Sequence, residues 1–396
     1  MAASDGERRP GRFDVIVVGA GIMGSCAAHA AASRGARLLL LERFGRLHTR
    51  GSSHGESRGT RATYAQARYL PVVRLARRLW DEAQAEAAVR VLTSTRARGA
   101  SPRSSPPSGT AAAPRPPKDR RGPGRGVFRV PGGLMAAVSE LGGVIQATKA
   151  VGMFQELAER KGAVVKDGTE VVDVTKRGEG SILVKTASGE EFHGAKCIVT
   201  VGAWTRKLVK SVAGMDLPVQ PLHTLLCYWK ARPGRRFPTF ASYGDTHIYS
   251  TPSAEFPGLI KIAMHGGSPC DPDSRRDATT GDVDLVEPVA RWIDAFMPGH
   301  VDTAERPVQP QPCMYSMTPD EDFVIDFLGG EFGKDVVGGA GFSAGHGFKM
   351  GPAVGRILAE MAMDGEARTA VDAGVELEHF RISRFVGNPK GNLKDF

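Results

Sequence analysis

The stretch "VIVVGAGIMGSCAA" (Val15–Ala28) decides the fold. An apolar strand runs into Gly19-Ala20-Gly21-Ile22-Met23-Gly24 and leaves as a helix of small residues. Gly19 allows a tight turn, Gly21 lets a pyrophosphate approach the backbone, and Gly24 lets helix and strand pack closely. The helix N-terminus then offers partial positive charge to the phosphates. "ARLLLLER" supplies the next strand, and Glu42 at its end, eighteen residues past Gly24, is placed to hold ribose hydroxyls. Strand, glycine loop, helix, strand and acid in that order predict a dinucleotide site; a glycine-rich turn without a ligand is the alternative. The fingerprint does not choose between FAD and NAD, although a start so near the N-terminus is common among flavoenzymes.

The 396 residues exceed what one ordinary core organises and predict two domains with interleaved segments. Hydrophobic residues make up 41%, enough for a sizeable core, and no apolar run is long enough to span a bilayer. The leader "MAASDGERRPGR" lacks the layout of a signal peptide, and the closing "NLKDF" is not the Ser-Lys-Leu peroxisomal address. Cys26, Cys197, Cys227, Cys270 and Cys313 are odd in number, widely spaced and form no CxxC pair. That pattern argues against a disulfide scaffold or zinc site and for a reducing compartment. No metal is expected.

A net charge of +9 raises nucleic acid as a partner. Its location removes that reading: eight Lys/Arg and one Asp within Arg96–Arg125 supply +7 of it, without an aromatic for base stacking. This stretch of Arg, Pro, Ala, Ser and Gly cannot bury enough surface to offset chain entropy. It reads either as a disordered loop or as a segment translated out of frame. Elsewhere the pattern is mixed α/β. "THIYSTP" and "GLIKIAMHGG" read as strands of a second sheet, and "DVVGGAGFSAGHGFKMGPAVGRILAEMAM" reads as strand, glycine loop and helix.

Four further motifs occur in order: "HTRGSSHGESRGTRATY" (His48–Tyr64), "LIKIAMHGG" (Leu259–Gly267), "CMYSMTPDEDFVID" (Cys313–Asp326) and "GAGFSAGHGFKMGPAVG" (Gly339–Gly355). Together they resemble the monomeric sarcosine oxidase family, which includes sarcosine/pipecolate oxidases and N-methyltryptophan oxidase. The likeness covers most of the chain and fails around Arg96–Arg125. It implies an α/β architecture in which a Rossmann-like FAD-binding domain of discontinuous segments (1–85, 150–215 and 311–385) carries an inserted mixed-sheet, α+β substrate domain (126–149 and 216–310). Residues 96–125 stand apart as anomalous, and the active site lies at the domain interface.

The resemblance also implies roles for residues. FAD is attached covalently through a cysteine sulfur to the flavin 8α-methyl, and Cys313 sits in the matching motif; a buried inert thiol is the bland alternative. Arg61 and Lys349 match a carboxylate-binding pair, and Arg58 a charge beside the flavin ring. His265 matches a histidine beside the substrate amine, and Lys261, read as sharing its strand face, a cation where oxygen reacts. Tyr315 and, with less regular spacing, Tyr249 match pocket walls. Against these stand plainer readings: a solvated helix face for the two arginines, an exposed strand lysine, a structural histidine. The cofactor's surroundings would comprise Gly19, Gly21, Gly24, Glu42, His54, Val171, Gly202, Trp204, Cys313, Gly345, Gly347 and Lys349. Backbone N–H groups of Gly345, His346 and Gly347 would meet the flavin's pyrimidine edge.

The implied activity is oxidation of a small secondary amino acid, sarcosine-like or L-pipecolate, to an imine, with O2 reduced to H2O2. The partners are substrate and O2 alone, for a monomer in peroxisome or cytoplasm, with no nucleic acid and no membrane. The alternatives are an FAD-dependent dehydrogenase that passes electrons to a carrier, and a misassembled chain without function, since Arg96–Arg125 stands where the family has sheet and helix.

Overall fold

The computed structural model describes residues 11–94, 126–129, 142–233, 237–274, 284–340 and 346–393. The anomalous stretch 96–125, residues 130–141 of the segment 126–149, and Gly345 lie outside the described residues.

Arg12–Val18 forms the centre of an eight-stranded sheet, with Leu38–Leu41 parallel on one side and Glu191–Val199 parallel on the other. Val164–Lys166 extends the first side, and Gly333–Ala340 followed by Val324–Gly329 extends the second. A strand covered on both faces must be apolar throughout. Val15–Val18 and Leu38–Leu41 are accordingly buried without alternation. Each fully buried leucine contributes roughly 1.5–3 kcal/mol.

Four helices, Ile22–Ala32, Tyr69–Ala87, Ala147–Arg160 and Gly347–Asp364, contribute to the core on one face. The hairpin Val171–Lys176/Ile182–Thr186 and helix Thr205–Ala213 contribute to the core on the other. The first and last of the four helices meet unusually closely. A Cβ on Gly355 would stand 2.5 Å from that of Cys26, and one on Gly351 2.7 Å from Cγ1 of Ile22. The small residues after the fingerprint thus set an interhelical distance.

A second, six-stranded sheet joins Phe240–Ser242, Ile248–Pro252, Leu259–Met264, Gln220–Lys230, Ser268–Pro269 and Gln309–Met317 through antiparallel pairs. Helix Glu287–Phe296 buries Val289, Trp292 and Ile293 in the core of this part. The sequence-based boundary at 311 falls inside Gln309–Met317, which pairs along its whole length with Gln220–Lys230. Cross-strand partners lie far apart in sequence, so local pattern gave no sign of it. Cys313 and Tyr315 sit in Gln309–Met317, a strand of the second sheet, and the chain rejoins the large sheet only at Val324. A small sheet of Arg58–Thr60, Gly143–Ile145 and Leu92–Ser94 adjoins them.

Candidate active site

The fingerprint opens onto a cleft of about 280 Å³ lined by Gly19, Gly21, Glu42, Val171, Gly202 and Trp204, among others. Gly19 has φ +96°, and a Cβ there would lie 2.6 Å from the Thr200 carbonyl oxygen. A Cβ at Gly24 would lie 1.9 Å from the Gly19 carbonyl oxygen. Ala20 N–H donates to Glu42 Oε2 at 2.8 Å, Phe44 N–H to Oε1 at 3.1 Å, and His48 Nε2 lies 3.3 Å from Oε1. Burial pushes this carboxyl up, but the His48 and backbone contacts outweigh it and hold it below the usual range. A carboxylate has about four acceptor positions, so one remains for a ribose hydroxyl. The glycine cradle, the helix start, where Ile22 N–H donates to Ser53 Oγ at 3.1 Å, and the pinned acid all fit a dinucleotide. Gly24→Ala is expected to destabilise the fold by about 1–3 kcal/mol and to lower the flavin content of purified protein. An unchanged flavin-to-protein absorbance ratio would contradict that.

From the cleft the chain leads to Cys313. Ser52 lines the cleft and donates to the Met314 carbonyl oxygen, while Arg58 Nη2 donates to the carbonyls of Ser52 (2.9 Å) and His54 (2.7 Å) and lies 3.8 Å from Cys313 Sγ. Both His54 ring nitrogens are buried without a well-formed hydrogen bond among the described residues, yet the imidazole stands close enough to favour a thiolate. Burial raises the Cys313 thiol; His54 and then Arg58 more than reverse this and bring it down to about 7. Burial pushes up Cys26, Cys197 and Cys227, and at Cys227 it outweighs Arg306.

Lys261 is 1% exposed. Its Nζ donates to the Ser57 carbonyl at 2.6 Å and to Ser57 Oγ at 2.9 Å, and Ser57 Oγ in turn meets Thr251 Oγ1 at 2.8 Å. Burial, followed by repulsion from Arg58, brings the ammonium down to about 7.

The third cluster gathers Arg61, Lys349, His265, Tyr315 and Tyr249. The Arg61 guanidinium lies 4.4 Å over the Tyr64 ring and 5.3 Å over that of Tyr243, and its Nη1 is buried without a hydrogen-bond partner among the described residues. Lys349 Nζ lies 6.0 Å over Tyr64; burial and then Arg61 push it well below the ordinary lysine value. His265 packs against Tyr315 at 5.4 Å and His247 at 5.0 Å. The Tyr249 and Tyr315 phenols are close enough to affect each other's ionisation, with Tyr315 pushed up by burial to about 12. Gly347 begins the buried first turn of the long final helix.

The strand carrying Lys261 ends at Met264, but His265 N–H donates to the His247 carbonyl oxygen at 2.7 Å and continues its register, keeping His265 on the Lys261 face before Gly266 at φ +129° turns the backbone. Arg58 lies in the short strand Arg58–Thr60, with Arg61 just beyond it, and not on a helix. Sequence reasoning passed over Ser57, Tyr64 and His247, each within three residues of a residue it had singled out, and Glu321, six residues past Tyr315. It also passed over Asp273, which joins Trp204 (2.8 Å), Arg43 (2.6 Å) and Lys207 (2.5 Å) beside the cleft.

A family model described as FAD dependent oxidoreductase matches residues 14–361. A probable sarcosine oxidase of Arabidopsis thaliana is 50% identical across 98% of this chain and 96% of its own. The peroxisomal sarcosine oxidase of Homo sapiens is 32% identical across 96% and 98% respectively. In structure, NikD, an unusual amino acid oxidase essential for nikkomycin biosynthesis, superposes with a TM-score of 0.72 at 19% identity, covering 97% of this chain and 99% of that one. That last likeness speaks for the fold alone. The sequence relatives and the family model decide the assignment: this chain belongs to the FAD-dependent oxidoreductases, and within them to the sarcosine oxidase family.

Proposed function

We propose that this enzyme oxidises small secondary amino acids, with sarcosine and L-pipecolate as the candidate substrates. The coarser activity, FAD-dependent oxidation of a small amine to an imine with O2 as acceptor, follows from the family. When bound, FAD supplies the two-electron oxidation and the reduction of O2 to H2O2. His54 and Arg58 would hold the Cys313 sulfur as a thiolate for covalent attachment. Lys261 would stand as the cation where O2 is reduced.

The observation that carries the substrate class is the buried, unpartnered Arg61 Nη1 among aromatic rings. A buried donor without an acceptor costs free energy unless a ligand completes it. The planar fork suits a carboxylate, and the Lys349 ammonium adds a point charge. Burial biases Lys349 towards neutrality, so an arriving carboxylate would also favour its protonation. Tyr315, Tyr249 and His265 would wall the amine end. Every group named comes from one chain, which suits action as a monomer. A peroxisomal setting would suit a source of H2O2, and localisation of a fluorescent fusion in cells tests it.

The test is peroxide release from purified protein given sarcosine, L-pipecolate or glycine. The secondary amino acids should yield H2O2, and glycine at least about tenfold less. Arg61→Met should raise KM for either substrate by about 30-fold or more, since truncating one partner of a buried charged pair costs about 2–5 kcal/mol. Absence of peroxide with both secondary amino acids would overturn the substrate class.

A further inference from the structure

Asp320, Glu321 and Asp322 are consecutive carboxylates in the turn between Gln309–Met317 and Val324–Gly329. The outer two are locked inward. Asp320 accepts from Arg384 Nε at 2.7 Å and from Asn392 N–H at 2.8 Å. Asp322 faces Arg68 Nη2 at 2.8 Å and accepts from Asn392 Nδ2 at 2.7 Å and from the Tyr69 hydroxyl. Both side chains are fully buried, whereas that of Glu321 is 48% exposed. Glu321 also holds a left-handed backbone, φ +57°. A non-glycine residue pays about 1–2 kcal/mol for that conformation, and such strain clusters at functional sites. Its carboxylate points to one described partner, His265, at 3.7 Å.

We propose that Glu321 is the anionic partner of the substrate amine: with His265 it draws in the secondary ammonium and accepts the proton that must leave nitrogen before the neighbouring C–H bond is oxidised. This rests on the secondary amino acid reading above. An ammonium nitrogen has no lone pair from which to form an imine. In the step, one N–H bond of the ammonium breaks and a proton joins the His265–Glu321 pair, leaving a neutral amine; no electrons are transferred. Arg61 and Lys349 would take the carboxylate and Glu321 the ammonium, a set of charges matched to a zwitterion, and all three act on His247. The His247 ring packs 5.0 Å from that of His265. Burial, His265 and Arg61 bring it down to about 4, so it does not add a competing cation at neutral pH. Tyr315 is the remaining titratable group facing Glu321, and its phenol stays protonated there.

Glu321→Gln and Glu321→Asp test the assignment through two measurements followed by flavin absorbance: the dependence of the anaerobic flavin reduction rate on amino acid substrate concentration in rapid mixing, which yields its Kd, and a binding titration with acetate. In Glu321→Gln the amino acid should bind about tenfold more weakly while acetate binds as in wild type. The acid limb of kcat/KM should move to higher pH, towards the substrate's own ammonium. Glu321→Asp should recover part of both effects. Equal weakening of both ligands together with a lowered Tm would mark a structural turn residue and overturn the proposal, as would unchanged binding and pH profile. A wild-type protein that binds acetate but no secondary amino acid would overturn the substrate reading, and this inference with it.

Discussion

Acid-precipitated wild-type protein should keep its yellow colour in the pellet, and Cys313→Ser should release essentially all of it into the supernatant. The reasoning begins with the thiol. An ordinary cysteine is almost wholly protonated at neutral pH, whereas one brought down to about 7 supplies a substantial share of thiolate. Only the thiolate is a competent nucleophile, and the serine hydroxyl cannot ionise in its place. The gain comes from His54 and Arg58, acting against burial. His54→Asn should therefore slow covalent attachment of added FAD to apo-protein by roughly tenfold or more, while the linkage still forms on long incubation. If wild-type colour washes into the supernatant, Cys313 is an inert buried thiol, and the His54–Arg58 arrangement needs another purpose.

What the sequence revealed follows from what is local. The fingerprint turn, the apolar runs Val15–Val18 and Leu38–Leu41, and the glycine-ended helices were legible because turn chemistry and burial on both faces leave marks within a few residues. The contact of Gly351 and Gly355 with Ile22 and Cys26 was not legible, since its two halves lie more than 300 residues apart. Nor was the pairing of Gln309–Met317 with Gln220–Lys230, whose partners are about 90 residues apart. Within the site, residues embedded in longer motifs stood out, whereas His247 and Glu321 gain meaning only from the partners that tertiary packing brings to them. Glu321 is instructive: three neighbouring acids look alike in sequence, and only the contacts of Arg384, Asn392 and Arg68 separate two structural carboxylates from a displayed one.

Lys261→Met should slow reaction of the reduced enzyme with O2 by roughly 10²–10³-fold while changing anaerobic reduction by substrate less than about tenfold. Lys261 would be an exposed strand lysine on the bland reading, but it is 1% exposed and forms no ion pair with a carboxylate among the described residues. Ser57 fixes its ammonium from two oxygens. A cation buried without an anion is useful where negative charge develops, as it does when O2 accepts electrons. The sign of the pH effect follows from its protonation. As pH rises through about 7 the ammonium is lost, so the wild-type O2 reaction should slow across that window, displaced upward by nearby reduced, anionic flavin; in Lys261→Met that limb should vanish. Stability moves the other way. The ammonium falls from 10.5 in the unfolded chain to about 7 in the folded protein, burial first and Arg58 second. Between those values the unfolded chain binds a proton that the folded protein does not, so wild-type stability rises with pH there. Below about 7 the folded protein carries the full cost of a buried charge. Lys261→Met removes that cost, less what is lost by leaving the Ser57 carbonyl without its donor. The variant should therefore melt at a higher temperature at pH 6 while reacting poorly with O2. A higher Tm with an unchanged O2 rate would identify Lys261 as a merely tolerated buried charge and remove it from the chemistry.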